Sequence, residues 1–268
     1  MRIDRTWIAP AVACALMVGT GALGVALTVG GGAPTVSIPA TDTVAAAAAP
    51  SAAPSASAPT RAAAEGAGVG AGAPATTAPS IADLVAPTWV EDTAEATRIP
   101  PRALAAYAGA TLATRASHPA CGIGWNTLAA IGLVESEHGS IGDAELDRRG
   151  NARPPITGVA LNGDGVAAIA DTDDGALDGD PEWDRAVGPM QFIPATWIAF
   201  AVDGSGDGVA DAQNLDDAAL TAAAYLCTAG GDLTQPDSWI RAVTAFNHDV
   251  AYVNRVAEAA TAYGNAVG

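Results

Sequence analysis

The chain has 268 residues, of which 12 are basic and 29 acidic, so its formal net charge is −17 and its pI is near 4.2. Nucleic-acid affinity depends on clustered cations that neutralise phosphates, and this composition therefore argues against a nucleic-acid-binding protein. The excess negative charge lies after residue 80, because residues 1–80 hold three arginines and three acidic residues.

The N-terminal segment is apolar and follows two arginines. Residues 7–29 are 23 consecutive uncharged positions behind Arg2 and Arg5. At about 1.5 Å per residue, a helix of this length can cross a hydrocarbon core of about 30 Å. The pattern predicts an export signal over residues 1–33 that is kept as a membrane anchor. Alanines at 40–49 leave cleavage and secretion open as the alternative.

The next segment differs sharply in composition. Residues 34–80 consist mainly of Ala, Pro, Ser, Thr and Gly. Such a segment buries too little apolar area to offset the entropy of ordering it, so we predict a disordered linker. Residues 81–268 carry Trp, Leu, Ile and Phe at regular intervals and predict one domain of ordinary size, in which the function must lie.

This domain is predicted to be mainly α-helical. The prediction depends on prolines and acidic residues at helix starts, apolar residues at helical spacing and glycines after helix ends. The predicted helices are 101–114, 125–137, a short helix from Pro194, 214–230, 238–246 and 249–263, the last closed by Gly264. The long acidic segment 139–188 is predicted to be an insertion, either functional or with small strands of its own.

A carboxylate in the second predicted helix is a candidate catalytic group. On a helical wheel, Glu135 lies on one stripe with Leu128 and Ile131, whereas Glu137 lies on the opposite side. A carboxyl group in apolar surroundings has a raised pKa and can act as a general acid on a glycosidic oxygen. From this segment alone, the alternative is that Glu135 ends the helix and turns to water.

Three motifs then resemble those of a known enzyme family. They are Leu133-Val134-Glu135-Ser136, the segment 188–197 with the sequence GPMQFIPATW, and Phe246-Asn247. In order and spacing they are similar to the active-site motifs of B-type lytic murein transglycosylases, which are membrane-bound lytic transglycosylases. The resemblance covers about residues 99–263. It implies an α+β lysozyme-like fold that is mainly α.

The resemblance also implies roles for individual residues. Glu135 is expected to be the sole catalytic acid/base, Gln191 to line the saccharide cleft, and Asn247 to contact the substrate or the catalytic carboxylate. Phe246 stands where the family more often has Tyr, which puts a hydroxyl contact there in doubt. Trp183, shortly before the Gln191 motif, is a candidate cleft wall. Without the family, Gln191 would be a capping or turn amide and Asn247 a helix-linker residue.

The implied activity is that of a glycan-cleaving lyase acting on peptidoglycan in the cell envelope. The expected reaction cleaves the β-1,4 bond between N-acetylmuramic acid and N-acetylglucosamine and forms a 1,6-anhydro end. Two alternatives stay open. One is a hydrolytic muramidase with a second carboxylate, Asp171, Asp173 or Asp184, and the other is a non-catalytic wall-binding module. The expected partner is the glycan strand, with membrane contact only through the N-terminal segment and no organic cofactor.

Segment 203–214 predicts a structural calcium site. It has oxygen-bearing residues in an EF-hand-like register between two predicted helices, with Gly208 at the sharp turn. The resemblance supports this prediction, because the family commonly has a calcium loop here. Asn214 replaces the usual bidentate Glu, which should reduce the affinity; the alternative is a solvated turn. The predicted ligands are Asp203, Ser205, Asp207, the Val209 carbonyl, Asp211 and Asn214.

The remaining candidate ligands give weaker patterns. A second acidic cluster lacks the calcium register, so a solvated loop is favoured there over a second cation site. The two cysteines of the exported domain, Cys121 and Cys227, are predicted to form a disulfide, with two buried thiols as the alternative. The histidines are too scattered for a zinc motif. The acidic cluster comprises Asp171, Asp173, Asp174, Asp178 and Asp180, and the histidines are His118, His138 and His248.

Overall fold

The computed structural model describes residues 78–267, which form a mainly helical structure with short strands. The predicted fold class is therefore confirmed. In chain order the elements are a 3-10 helix at Ile81–Leu84, α1 at Pro87–Thr97, α2 at Pro101–Ser117, α3 at Trp125–Ser136, β1 at Glu145–Leu146, β2 at Ala152–Arg153, β3 at Thr157–Ala160, β4 at Arg185–Val187, α4 at Pro194–Phe200, α5 at Leu215–Gly230, α6 at Pro236–Phe246 and α7 at Val250–Ala266.

Helix starts follow the local sequence closely. Four helices, α1, α2, α4 and α6, have proline in the first turn, where its missing N–H leaves no hydrogen bond unmade. Two others are capped by side chains: Asn214 accepts from the Asp216 N–H and Asp249 accepts from the Ala251 N–H. These signals explain why most predicted starts lie within two residues of the observed ones.

Helix ends and the first helices differ from the predictions. The 3-10 helix and α1 were not predicted, because α1 buries only Val90, Thr93 and Ala94 and has few large apolar residues. Helix α2 continues three residues beyond the predicted end at 114. The prediction that Gly264 closes α7 was wrong, since the helix runs through it to Ala266. A single glycine costs a helix only about 1 kcal/mol, so it need not end one.

Helix α2 lies at the centre of the core. Its Leu104 and Tyr107 are fully buried, and it packs against the 3-10 helix, α1, α3 and α5. A side chain at Gly109 would collide with the Ile81 backbone, so glycine permits this close approach. Helix α3 packs mainly on α7, and α5 packs on α6. The α3 and α7 pair positions the candidate catalytic group.

The insertion between α3 and α4 contains small strands, as the sequence predicts. Strands β1 and β2 form one antiparallel pair, and β3 and β4 form another. Further pairings join Ala170 to Trp183 and Val187 to Phe192. The insertion is also bound to the start of α5, because the Ala152 N–H donates to the Gln213 carbonyl. Strand β4 therefore leads from the insertion directly into the Gln191 motif.

A disulfide joins Cys121, just before α3, to Cys227 in α5, with the Cα atoms 5.3 Å apart. The bridge predicted from the sequence is thus present in the structure. None of the described helices is long and apolar enough to span a bilayer. The predicted anchor, residues 1–33, and nearly all of the predicted linker lie outside the described residues.

Candidate active site

Glu135 lies in the last turn of α3, facing α7. Its side chain is partly buried, and its Oε1 accepts a hydrogen bond of 2.6 Å from the hydroxyl of Tyr252. Tyr252 belongs to α7 and is only 2% exposed. Behind Glu135, Leu128 and Ile131 of α3 are fully buried. The carboxyl group therefore has an apolar helix on one side and a single phenol as its hydrogen-bond partner.

These surroundings change the proton affinity of Glu135. Burial raises its pKa to about 7, while the Tyr252 hydrogen bond and the positive charge of Arg255 act in the opposite direction. Near neutral pH the group can therefore both donate and accept a proton, as general acid–base catalysis requires. Glu137, by contrast, is exposed and occupies the left-handed cap that ends α3. The observed difference agrees with the helical wheel.

The three sequence motifs are contiguous in space. Ser136, next to Glu135, is 1% exposed and donates its hydroxyl to the carbonyl of Pro189 in the second motif. Phe192 of the second motif packs edge-on against Phe246 of the third, with ring centroids 5.6 Å apart. Two direct contacts therefore join the Glu135 helix, the Gln191 motif and the end of α6.

Gln191 occupies a tight turn after β4. The Val187 and Phe192 backbones bond to each other around this turn, and Gln191 itself has a φ of 48°. A non-glycine residue in the left-handed region is strained, and such strain is often found at functional sites. The Gln191 amide donates to the carbonyl of Gly188 at 3.0 Å. A side chain at Gly188 would collide with the Ala212 backbone, so this turn requires glycine there.

The other predicted substrate residues are placed differently. Asn247 is exposed at the end of α6, and its side-chain oxygen Oδ1 accepts from the Asp249 N–H. Phe246 is partly buried against the rings of Phe192 and Tyr225 and brings no hydroxyl to the site. Trp183 pairs with Ala170 inside the acidic insertion. The contacts therefore connect Phe246 to the Gln191 motif, whereas those of Trp183 lie in the insertion.

The sequence analysis did not predict two features of the site. Tyr252 belongs to a buried stripe of α7 with Val256 and Ala260, and a tyrosine in such a stripe resembles an ordinary core residue. Below the end of α3, the ring of His138 lies between the hydroxyls of Tyr107 and Tyr263, at 3.3 and 3.1 Å. Burial lowers the pKa of His138 to about 4. Both features join α3 to its neighbours.

A comparison with known families identifies this arrangement. The model of the transglycosylase SLT domain family matches residues 170–262. This part of the chain is therefore similar to a transglycosylase SLT domain. The matched range includes the Gln191 motif, Phe246-Asn247 and Tyr252, whereas Glu135 lies upstream of it. The prediction of a lytic transglycosylase is confirmed at the level of this family.

Several solved structures show a weaker similarity to this chain. Escherichia coli lytic transglycosylase Slt35 in complex with calcium shares 16% identity, with a TM-score of 0.43 and coverage of 69% of this chain and 77% of that one. The structure of its complex with bulgecin A shares 14% identity with this chain, with a TM-score of 0.41 and the same coverages. SltB3 from Pseudomonas aeruginosa in complex with NAG-anhNAM-pentapeptide shares 18% identity, with a TM-score of 0.40 and coverage of 71% of this chain and 72% of that one. No curated protein sequence matches significantly.

The 203–214 loop of the SLT domain is closed by its own hydrogen bonds. The Asp203 carboxylate accepts from the N–H groups of Gly206 at 2.7 Å and Gly208 at 2.8 Å, and from the Ser205 hydroxyl. Burial raises the pKa of Asp203, but these bonds outweigh it, and the pKa lies below its usual value. Asp207 accepts from the Val209 N–H. The oxygen-only donor set fits calcium chemically.

Two residues at the start of α5, the amide Asn214 and the acidic Asp217, adjoin this loop. Asn214 is 3% exposed; its oxygen caps α5 and its amide donates to Arg149 and Asn151, so it acts as a helix cap here. Asp217, missed from the sequence, accepts from three loop N–H groups, those of Gly204, Ser205 and Asp211. The sequence register did not reveal Asp217 because it lies beyond the twelve-residue pattern.

Proposed function

We propose that the protein cleaves the β-1,4 bond between N-acetylmuramic acid and N-acetylglucosamine by transglycosylation, with Glu135 as its only catalytic carboxylate. The observation that carries the proposal is the setting of Glu135, a carboxyl group with a pKa of about 7 beside the Gln191 motif. Burial raises that pKa, whereas the Tyr252 hydrogen bond and the Arg255 charge lower it.

The reaction needs one group that first gives and then takes a proton. Protonated Glu135 donates to the glycosidic oxygen as the bond from that oxygen to the anomeric carbon breaks. The N-acetyl group of the muramoyl residue stabilises the developing positive charge. Glu135, now ionised, takes the proton of the 6-hydroxyl, whose oxygen bonds to the anomeric carbon. The product is a 1,6-anhydro end, and Glu135 regains its starting proton without water.

Tyr252 is proposed to be the positioning residue for Glu135. Its hydroxyl can only donate to an ionised carboxylate, so the 2.6 Å bond stabilises the intermediate state of Glu135. The tyrosine itself is held by burial in α7. The bond therefore orients one carboxylate oxygen and leaves the other for the substrate.

The remaining predicted residues are proposed to form the saccharide cleft. Gln191 sits in the strained turn, Phe246 packs beneath it through Phe192, and Asn247 is exposed beside them. Trp183 is proposed to extend the cleft from the insertion. Amide side chains and aromatic faces at such positions suit the hydroxyl, amide and ring surfaces of amino sugars.

We propose that the 203–214 loop binds one structural calcium ion through Asp203, Ser205, Asp207, Asp211 and the Val209 carbonyl, with Asn214 as the α5 cap beside it. The ion would relieve repulsion among the loop carboxylates and couple metal binding to folding. Calcium should raise the melting temperature of chelator-treated protein. Asp207→Ala should remove that shift, and Asp164→Ala, at an exposed position elsewhere, should keep it. Equal melting temperatures with and without calcium would show that the loop is a turn and does not bind the ion.

An SLT domain that cuts peptidoglycan acts in the cell envelope. We propose that residues 1–33 direct export and anchor the chain, and that residues 34–80 let the domain reach the glycan strands. Fractionation of cells that produce the full chain tests this proposal. Recovery of the chain in the membrane fraction supports the anchor, whereas a shortened chain in the medium shows cleavage.

The reaction is tested by the mass of its products. Purified protein should release glycan fragments that end in the anhydro form, about 18 Da lighter than hydrolysed fragments because no water is added. Glu135→Gln should lower the rate by about a thousandfold or more, since a general acid–base group contributes up to about four orders of magnitude. The matched control is Glu137→Gln, which should cleave normally.

Each alternative function gives a distinct result in this assay. Hydrolysed products from the first turnover would establish a muramidase. Binding of glycan without cleavage by the wild-type protein would establish a wall-binding module. Normal cleavage by Glu135→Gln would remove Glu135 from the mechanism.

A further inference from the structure

The amide of Gln191 is held at its nitrogen and free at its oxygen. The Nε2 atom donates to the Gly188 carbonyl at 3.0 Å, and a carbonyl can only accept, so this bond fixes which end of the amide faces Gly188. The Oε1 atom accepts no hydrogen bond from the part of the protein that the structure describes. Because Gln191 is partly exposed, this oxygen is an acceptor that a ligand can reach.

Gly158 of β3 lies beside this free oxygen. A Cβ atom at position 158 would be 3.1 Å from the Gln191 Oε1 and 3.4 Å from the Ala186 Cβ. Non-bonded atoms pack best at about 3.5–4.0 Å, so an added methyl group would push the amide oxygen away from its place. The position of the Gln191 oxygen therefore depends on the missing side chain at 158.

The backbone does not itself require glycine at this position. The pairing of β3 with β4 is irregular between Thr157 and Ala160, yet the φ of Gly158 is not positive, so other residues can adopt its conformation. A glycine inside a strand is destabilising relative to alanine, and it often marks a place where another group approaches closely. The space beside Gln191 is such a place.

Strand β3 is fixed relative to the turn that follows β4. The side-chain amide of Gln213 bonds both backbone groups of Ile156, accepting from its N–H and donating to its carbonyl, each at 2.8 Å. The Ile156 carbonyl also accepts from the Gly188 N–H at 2.9 Å. The Gly158 carbonyl accepts from the Arg185 guanidinium at 3.2 Å. These bonds oppose a movement of the strand away from an added side chain.

We propose that Gly158 is a positioning residue for the saccharide cleft, because its missing side chain lets Gln191 hold its Oε1 toward the substrate. The inference rests on the proposed function, in which Gln191 lines the cleft. An amide oxygen can only accept, so the substrate group that it meets is a donor, either a hydroxyl or the acetamido N–H of an amino sugar. A methyl group at 158 turns the oxygen away and removes this hydrogen bond.

A double-mutant cycle in the cleavage assay tests the role of Gly158. Gly158→Ala should raise KM for glycan strands about two- to tenfold, as expected for the loss of one hydrogen bond between neutral groups. The value of kcat and the alkaline limb of the rate profile should stay unchanged, because the contact between Glu135 and Tyr252 is not altered. Gln191→Ala should also raise KM, and adding Gly158→Ala to it should cause no further rise.

Val159→Ala is the matched control for Gly158→Ala. Val159 is the next residue of β3, and it is 66% exposed. Successive side chains of a strand point to opposite faces, so this change alters β3 on the face away from Gln191. The variant should keep the KM of the wild-type protein.

Thermal unfolding of the same proteins tests the contact without substrate. Replacing a strand glycine by alanine normally stabilises a protein, but in the wild-type background the collision with Gln191 offsets this gain. In the Gln191→Ala background, Gly158→Ala should be more favourable by about 2–4 °C in melting temperature. If Gly158→Ala alone does not fold, folding of the double variant would show the same collision, whereas failure of both to fold would overturn the proposal.

The contrary results separate this inference from the proposed reaction. An equal rise in KM on both backgrounds would overturn the proposal, since Gly158 would then act without Gln191. Unchanged KM for Gly158→Ala would overturn it too, as would equal effects on melting in both backgrounds. Should the wild-type protein bind glycan strands without cleaving them, the cycle is measured on the dissociation constant, so failure of the reaction does not conceal the result.

Discussion

Glu135 and Asp203 carry the same functional group in opposite surroundings. Glu135 lies against the apolar α3 and α7 interface with one phenol as partner, and its pKa is raised to about 7. Asp203 lies in a loop whose N–H groups point at it, and its pKa is lowered. Within a helix the backbone N–H groups are bonded internally and do not donate to a side-chain carboxylate, whereas a tight loop leaves N–H groups free to do so. The element therefore decides which carboxylate can hold a proton.

The largest expected difference concerns stability as the pH rises. The pKa of Glu135 is about 7 in the folded protein against a reference value of 4.5. Folding therefore favours the protonated form, and stability is lost as the pH rises from 4.5 through 7. Glu135→Gln carries no charge and avoids this loss. Its advantage in unfolding free energy over wild type should grow by about 2–3 kcal/mol between pH 4.5 and 8.

Urea unfolding at a series of pH values measures this advantage. The control is Glu137→Gln, whose exposed side chain should show no such growth. A constant difference between Glu135→Gln and wild type across the series would show that Glu135 is solvated in the folded protein.

Periodicity together with the family resemblance predicted Glu135, but neither predicted its partner. Leu128, Ile131 and Glu135 are separated by three and four residues, and α3 buries that stripe. Tyr252 is 117 residues away in sequence, and the pairing depends on how α7 packs on α3. A single helix pattern contains no information about packing between helices. The candidate catalytic carboxylate could therefore be proposed from the sequence, whereas its hydrogen-bond partner could not.

The two acidic loops show a related limit. The 203–214 segment was found by its ligand register, which is a property of neighbouring residues. The sequence analysis named Asp171, Asp173 and Asp184 only as separate candidates for a second carboxylate, because Asp184 approaches the other two from the far end of its loop, across the pairing of Ala170 with Trp183. When side chains meet because the chain reverses direction, their separation in the sequence follows no fixed pattern. Likewise Gly264 looked like a helix end, because a local signal does not show that α7 continues.

A smaller effect is expected from Tyr252→Phe. Loss of the hydrogen bond removes a cause that lowers the pKa of Glu135, so this pKa should rise further. The alkaline limb of the rate profile should therefore move to higher pH. At neutral pH, kcat should fall about tenfold with KM unchanged, since a hydrogen bond to a charged group is worth about 1.5–3 kcal/mol.

Tyr263→Phe is the matched control for Tyr252→Phe. Tyr263 also belongs to α7, but its hydroxyl bonds to His138 rather than to Glu135. This variant should leave the alkaline limb in place. An equal shift in both variants would mean that loosening of α7, and not the Glu135 bond, changes the rate.

The smallest effect should come from Asp203→Asn, and its sign opposes that of Glu135→Gln. The folded pKa of Asp203 lies below the reference value of 3.8, so its ionised form stabilises the fold above that pH. In chelator at pH 7, the variant should melt slightly below wild type, because an amide replaces one oxygen that accepts loop N–H groups. As the pH falls through and below 3.8, wild-type Asp203 becomes protonated and the difference should vanish. Thermal scans at pH 7 and pH 3 measure it. A difference that persists unchanged at pH 3 would show that the side chain contributes by shape alone, and the contrast with Glu135 would then not be one of charge.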